Sequence, residues 1–177
     1  MINMKSTLLN EDREASIDRG CLMAMIDEEY SKILNKFNHK LIPDEDLYIE
    51  GNEFGREKEC HVTIKYGFFP DLNELSLRYI LKGQKTFMIN LKSISIFENE
   101  LFDVVKFDVE SLTLTRLNKL ASEYPNDDKY PEYHPHMTIA YVKKGTFKLS
   151  KDGIKLNIPI KQICYSPISG GKSYFEL

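Results

Sequence analysis

Along the chain, apolar positions switch between two periods, and the switches mark the expected elements. Residues 1–20 are polar and show no clear period; they are expected to be an N-terminal arm ahead of a folded part over 21–177. Cys21-Leu22-Met23-Ala24-Met25-Ile26 is a short apolar run of the kind that forms a buried strand. From Glu28 to His39, the residues Tyr30, Ile33, Leu34 and Phe37 recur at i, i+3, i+4 and i+7, which is one face of a helix, and Pro43 lies just past its end. The acidic stretch 43–60 carries Gly51 and Gly55 and reads as a surface loop. His61 to Tyr66 alternates with β-branched residues and predicts a strand that stops at Gly67. Asp71-Leu72-Asn73-Glu74 has the form of a capping box with Asp71 as the cap, opening a helix whose face is Leu72, Leu75, Tyr79 and Ile80.

The second half repeats the plan. Strands are expected over 86–97 and 102–109, then a helix over 112–124 with Leu117, Leu120, Ala121 and Tyr124 on one face and Pro125 at its end. A loop rich in Pro, Asp and Tyr leads to a strand over 137–142, and residues 155–177 read as two or three strands broken at Pro159, Pro167 and Gly170-Gly171. Strand 21–26, helix 28–39, loop and strand 61–66 are thus echoed by strand 102–109, helix 112–124, loop and strand 136–142. This echo implies two related lobes facing each other across a cleft.

Composition narrows the partners. A chain of 177 residues is long enough for one well-buried core. The formal net charge of -3 disfavours a general binder of long DNA or RNA, though not a small nucleotide held in a local pocket. The three cysteines, Cys21, Cys60 and Cys164, are too few and too widely spaced for a disulfide framework, and they read as reduced thiols in a cytoplasmic protein. No signal-peptide pattern and no apolar run of membrane-spanning length occurs, so no membrane role is expected.

The candidate chemistry sits on the last strand of each half. His61-Val62-Thr63-Ile64 and His136-Met137-Thr138-Ile139 agree at three of four positions. On a strand, His and Thr two apart point to the same side while their neighbours point into the core. Two such strands side by side would surround one pocket with two imidazoles and two hydroxyls. One imidazole would accept a proton from an attacking oxygen and the other would give one to a leaving oxygen, both near neutral pH. The threonine hydroxyls would hydrogen-bond the phosphate oxygens where charge develops. Four groups of this kind can cleave a phosphodiester with no metal and no other cofactor. A single His-x-Thr is common by chance; two copies, each on a strand and each followed by Ile, are not.

The paired motifs resemble the 2H phosphoesterase superfamily, which includes bacterial RNA 2′,3′-cyclic phosphodiesterases and 2′-5′ RNA ligase-like proteins. The flanks Gly55-Arg56-Glu57-Lys58-Glu59-Cys60 and Lys65-Tyr66-Gly67, with Cys21-Leu22-Met23-Ala24-Met25, are similar to the phage anti-CBASS enzymes, which degrade the cyclic oligonucleotide messengers of bacterial antiphage defence. The resemblance implies an α+β fold of two pseudo-symmetric lobes, each an antiparallel sheet backed by helices. It also implies a monomeric phosphodiesterase that cuts 3′-5′ bonds of cyclic di- or trinucleotides in the host cytoplasm, with His61, Thr63, His136 and Thr138 catalytic. An RNA-end 2′,3′-cyclic phosphodiesterase or 2′-5′ RNA ligase-like enzyme would use the same residues. A protein that sequesters a nucleotide without cutting it is a third possibility.

Other residues are weaker candidates. Lys65 shares the face of His61 and Thr63 by strict alternation and is a candidate phosphate contact. Tyr30 and Tyr165 are candidate stacking partners for a base, with core packing the competing role for Tyr30. His134-Pro135-His136 makes a poor metal pair, because no cysteine or acid cluster accompanies it. Gly170-Gly171-Lys172-Ser173 lacks the spacing of a phosphate loop and reads as a hairpin turn.

Overall fold

The computed structural model describes residues 19–51, 53–128, 130, 132–149 and 155–177; all but the last two residues of the expected 1–20 arm lie outside them. The elements run β1 (Gly20–Met25), α1 (Glu28–Leu41), β2 (Ile49–Glu50), β3 (Glu53–Phe54), β4 (His61–Phe68), α2 (Glu74–Ile80), β5 (Phe87–Glu98), β6 (Phe102–Glu110), α3 (Leu112–Ala121), β7 (His136–Lys143), β8 (Leu156–Ile160), β9 (Gln162–Ser166) and β10 (Ser173–Glu176). They form two four-stranded antiparallel sheets, in the orders β10-β9-β1-β4 and β7-β6-β5-β8, with β2 and β3 as a small separate hairpin. The α+β architecture read from the pattern is the one observed. No helix among the described residues is long and apolar enough to cross a membrane.

Several boundaries differ from the expectation, each for a local reason. Strand β4 continues through Gly67 to Phe68, because Gly67 adopts φ 97°. A Cβ there would come within 2.8 Å of Asp127 Oδ1, so only glycine lets the 126–128 loop close on the strand. Helix α2 is capped by Asn73, whose side chain accepts from Ser76 N at 2.9 Å. Asp71, the expected cap, instead accepts from the Tyr165 hydroxyl at 2.9 Å and from Ile168 N at 2.8 Å. Pro159 lies within β8 rather than breaking it; β8 is an edge strand, where a missing N–H is tolerated. The turn at Gly170-Gly171 joins β9 to β10 as a hairpin, with both glycines at positive φ.

A single buried cluster underlies both sheets, from Leu22, Val62 and Ile64 to Phe107, Met137 and Ile139. The halves exchange parts across it. Helix α1, from the first half, brings Phe37 to 6.0 Å from Phe107 of the second sheet. Helix α3, from the second half, packs on β4 and donates from Asn118 Nδ2 to the Ile64 carbonyl at 2.7 Å. The loop after α1 bonds the edge of β7, through Tyr48 N to Tyr141 O, Tyr141 N to Gly55 O and Glu57 N to Ile139 O. The loop after α3 bonds the edge of β4, through Asp127 N to Gly67 O and Tyr133 Oη to Thr63 O.

Tyr165 is 2% exposed, and its hydroxyl links β9 to the 71–72 segment by accepting from Leu72 N and donating to Asp71. Tyr165→Phe is therefore expected to lower stability by about 1–3 kcal/mol, the cost of a buried donor left unpaired, measured as a drop in the urea midpoint. An unchanged midpoint would show that the hydroxyl does not hold this junction.

Candidate active site

The two motif strands are edge strands, β4 of one sheet and β7 of the other, and they lie against each other. Each begins at its histidine, and both follow the sequence His-x-Thr-Ile-x-Tyr, two positions longer than the motif first identified. The alternation is broken in the same place in both. The pairing of β1 with β4 slips between Leu22 and Met23, so that Thr63 lies opposite Met23 but Lys65 lies opposite Leu22. The pairing of β6 with β7 slips between Val105 and Lys106, so that Thr138 lies opposite Lys106 but Ala140 opposite Val105. Such a bulge turns the next residue to the other side. His61, Thr63 and Tyr66 are half-buried, as are His136, Thr138 and Tyr141, while Val62, Ile64, Met137 and Ile139 are in the core.

Both imidazoles are anchored alike. His61 Nδ1 lies 2.6 Å from the Glu59 carbonyl, and His136 Nδ1 lies 2.9 Å from the His134 carbonyl. A carbonyl only accepts, so each Nδ1 carries its proton and each Nε2 is the nitrogen available for chemistry. The preceding carbonyls are also used in parallel: Cys60 O accepts from Ile26 N, and Pro135 O accepts from Val109 N. The residue before each histidine thus pins the strand, and the one before that sets the ring. The two rings are close enough for charge on one to disfavour charge on the other.

The surroundings differ between the halves. Beside His61 and Thr63, β1 carries Met25 and Met23, which pack with Cys164 in a small cluster separate from the main core. The Cys21 thiol is hydrogen-bonded to Thr63, and burial pushes it up to about 12, so it is not a thiolate at neutral pH. Beside Thr138 and His136, β6 carries Lys106 and Asp108. Lys106 Nζ donates to Asp108 Oδ1 at 2.5 Å and to Ser95 Oγ at 2.7 Å, and lies 4.3 Å from the centre of the Phe97 ring. Ser93 and Ser95 hydroxyls also donate to Asp108, at 2.8 and 2.7 Å. Burial works to raise the Asp108 carboxyl, but these donors outweigh it and hold it below the usual carboxylate range. Phe97 meets the His136 ring edge-on at 5.2 Å. Burial holds His136 below the usual histidine range, with Lys106 and His61 acting in the same direction and the His134 carbonyl and Asp108 opposing.

These second-half neighbours escaped the sequence reading. Their signal was present: in the second half of β6, Lys106 and Asp108 alternate with Val105, Phe107 and Val109, which puts both charges on one side. The three weaker candidates are each engaged in pairing or packing. Lys65 is 8% exposed and paired with Asp128 at 2.7 Å, because the bulge carries it away from the cleft face. Tyr165 lies opposite Leu22 on the core side, so it offers no ring for stacking. Tyr30 is half-buried against the main core. His134 is exposed, with Nε2 3.4 Å from Glu132, and among the described residues no three His, Cys, Asp or Glu side chains gather at metal-ligand spacing.

No family model matches the sequence, and no curated protein matches it. Solved structures do match in shape. TT0787 of Thermus thermophilus aligns with TM-score 0.61 at 18% identity, covering 90% of this chain and 94% of that one. E. coli LigT complexed with 3'-AMP aligns with TM-score 0.59 at 13% identity, covering 90% and 95%. Kluyveromyces marxianus Usb1 aligns with TM-score 0.59 at 10% identity, covering 91% and 99%. The chain shares their fold. At these identities, the fold is what the likeness establishes.

The environment of His136 has a consequence for stability. The unfolded chain takes up a proton there at higher pH than the folded one. The folded state therefore gains above the ordinary histidine pKa of about 6.5 and loses that gain as pH falls through the lowered value. The urea midpoint is expected to drop between pH 7 and 5, and to drop less in His136→Gln. Equal slopes for the two proteins would contradict this.

Proposed function

We propose that this chain is a metal-independent phosphodiesterase of the 2H type. The observation that carries the reading is the matched pair: two His-Thr sets on facing edge strands, each imidazole anchored through Nδ1 by the carbonyl two residues before it. One Nε2 accepts the proton of a ribose 2′-hydroxyl as its oxygen attacks the adjacent phosphorus. The other Nε2 donates a proton to the departing 5′-oxygen. Thr63 and Thr138 hold the non-bridging oxygens, whose charge rises in the transition state. The product is a 2′,3′-cyclic phosphate, which water opens with the two imidazoles exchanging roles. A solved phosphoesterase shares this fold, with TM-score 0.59 at 13% identity, which supports the reaction type.

For the substrate, the flanks of the first motif favour cyclic di- and trinucleotides, and with them a role against the cyclic-oligonucleotide signalling of bacterial antiphage defence. A second reading, an RNA-end phosphodiesterase, is favoured by the ligands of the neighbours: LigT has been determined with 3'-AMP and Usb1 with uridine monophosphate. Both substrates place one phosphodiester and one ribose at the four motif groups, so only substrate comparison separates them.

Cyclic dinucleotides, cyclic trinucleotides and an RNA ending in a 2′,3′-cyclic phosphate should be incubated with the protein in EDTA and the products resolved by chromatography. Cleavage of the cyclic oligonucleotides in preference to the RNA end is expected; the reverse preference selects the second reading. Substrate recovered intact throughout, or turnover abolished by the chelator, would sink the metal-independent enzyme. His61→Ala and His136→Ala should each lower kcat by about 10²- to 10⁴-fold. Thr63→Ala and Thr138→Ala should each cost about 10²- to 10³-fold. Circular dichroism should be unchanged in all four.

A further inference from the structure

The motif strands are near copies, but the strands beside them are not. At the positions opposite Thr63 and His61, β1 places Met23 and Met25; at the positions opposite Thr138 and His136, β6 places Lys106 and Asp108. Packing does not require charge at this site, since two thioethers fill the equivalent places in the other half. A buried ammonium is costly unless fully paired, and Lys106 is 6% exposed. Its partners, the Asp108 carboxylate, the Ser95 hydroxyl and the Phe97 face, all come from strands β5 and β6. Asp108 is itself held by Ser93 and Ser95, so the ammonium is fixed in place rather than free to swing towards a ligand.

We propose that Lys106 is a positioning residue that assigns the proton-accepting role to His136 and the proton-donating role to His61. The proposal rests on the phosphodiesterase reading and deepens it. The groups that face His136 are Lys106 and Asp108 from β6, His61 from β4, the His134 carbonyl from its own segment and the edge of Phe97 from β5. The fixed ammonium opposes a second proton on the His136 ring, so Nε2 meets the substrate with its lone pair free. His61 has no charged side chain at the corresponding positions of its neighbouring strand, and the donating role falls to it. In the cleavage step the 2′-oxygen forms its bond to phosphorus while its proton passes to His136 Nε2. The bond from phosphorus to the 5′-oxygen breaks, and that oxygen takes the proton from His61 Nε2. The step ends with His136 protonated and His61 neutral, the state needed for water to open the cyclic phosphate in reverse.

Histidine ring titrations followed by NMR, with the His136 signal assigned by its loss in His136→Gln, test this alongside the pH dependence of kcat/KM. Lys106→Met copies the first half into the second. It is expected to raise the His136 midpoint by about 0.5–1 unit and to move the acid limb of kcat/KM up by the same amount. Asp108→Asn is expected to move both down, and Lys106→Arg to leave both near the wild-type values. Opposite shifts from removing opposite charges are a signature that a merely structural role would not produce. A His136 midpoint unmoved in Lys106→Met overturns the proposal, as does an acid limb that follows the His61 signal. If Lys106→Met does not fold, Asp108→Asn decides by the same criterion. If wild-type protein cleaves nothing, the phosphodiesterase reading and the role assignment fall together. The titrations then still show whether Lys106 acts on His136.

Discussion

Everything at the cleft depends on two sheet edges that meet without completing each other. An edge strand exposes a row of unpaired backbone groups, and buried ones must find partners. Strands β4 and β7 obtain theirs from the crossover segment of the opposite half: the segment through Tyr48, Gly55 and Glu57 bonds β7, and the segment through Asn118, Asp127 and Tyr133 bonds β4. The edges are thereby capped from outside, and the histidine and threonine side chains are left on the open side. The helices follow the same exchange, since each crossover begins with one. Site and scaffold are set by one requirement.

Within that frame, two small devices make the motif usable. The carbonyl two residues before each histidine accepts from Nδ1, which fixes the tautomer and aims Nε2 outwards. The bulge after each threonine then ends the alternation, so that the residue two beyond it leaves the cleft face. The bulge explains why Lys65 is bound to Asp128 instead of reaching for phosphate, and why Ala140 suffices at the matching place. The same twist returns Tyr66 and Tyr141 to the side of the histidines.

Much of this was legible in the amino-acid pattern. The packed face of α1, with Tyr30, Leu34 and Phe37, and the motif strands with their echo follow from periodicity, because burial on one side imposes a period; Ile33, expected on the same face, is exposed. What escaped depends on contacts distant in sequence. Asp71 and Asn73 are equally plausible caps locally; Tyr165 and the 168–169 backbone, far along the chain, claim Asp71 and leave Asn73 to the helix. Gly67 reads as a stop until the 126–128 loop is seen to need its missing side chain. The bulges leave no mark in a single sequence, so strict alternation misplaced Lys65. Lys106 and Asp108 were visible as alternating charges, but nothing local says that they lie beside His136.

The exchange between the halves also bears on how such a molecule could be divided. Cut between β4 and β5, neither piece retains the segment that closes its own motif edge: the first half holds the cap for β7, and the second holds the cap for β4. A protein made of one half alone would have an open, adhesive edge. It could close that edge only by trading crossover arms with a second copy, as a swapped dimer does. The single chain makes that trade within itself. Its two halves need not match, and the strands beside the motifs carry sulfur on one side and paired charge on the other.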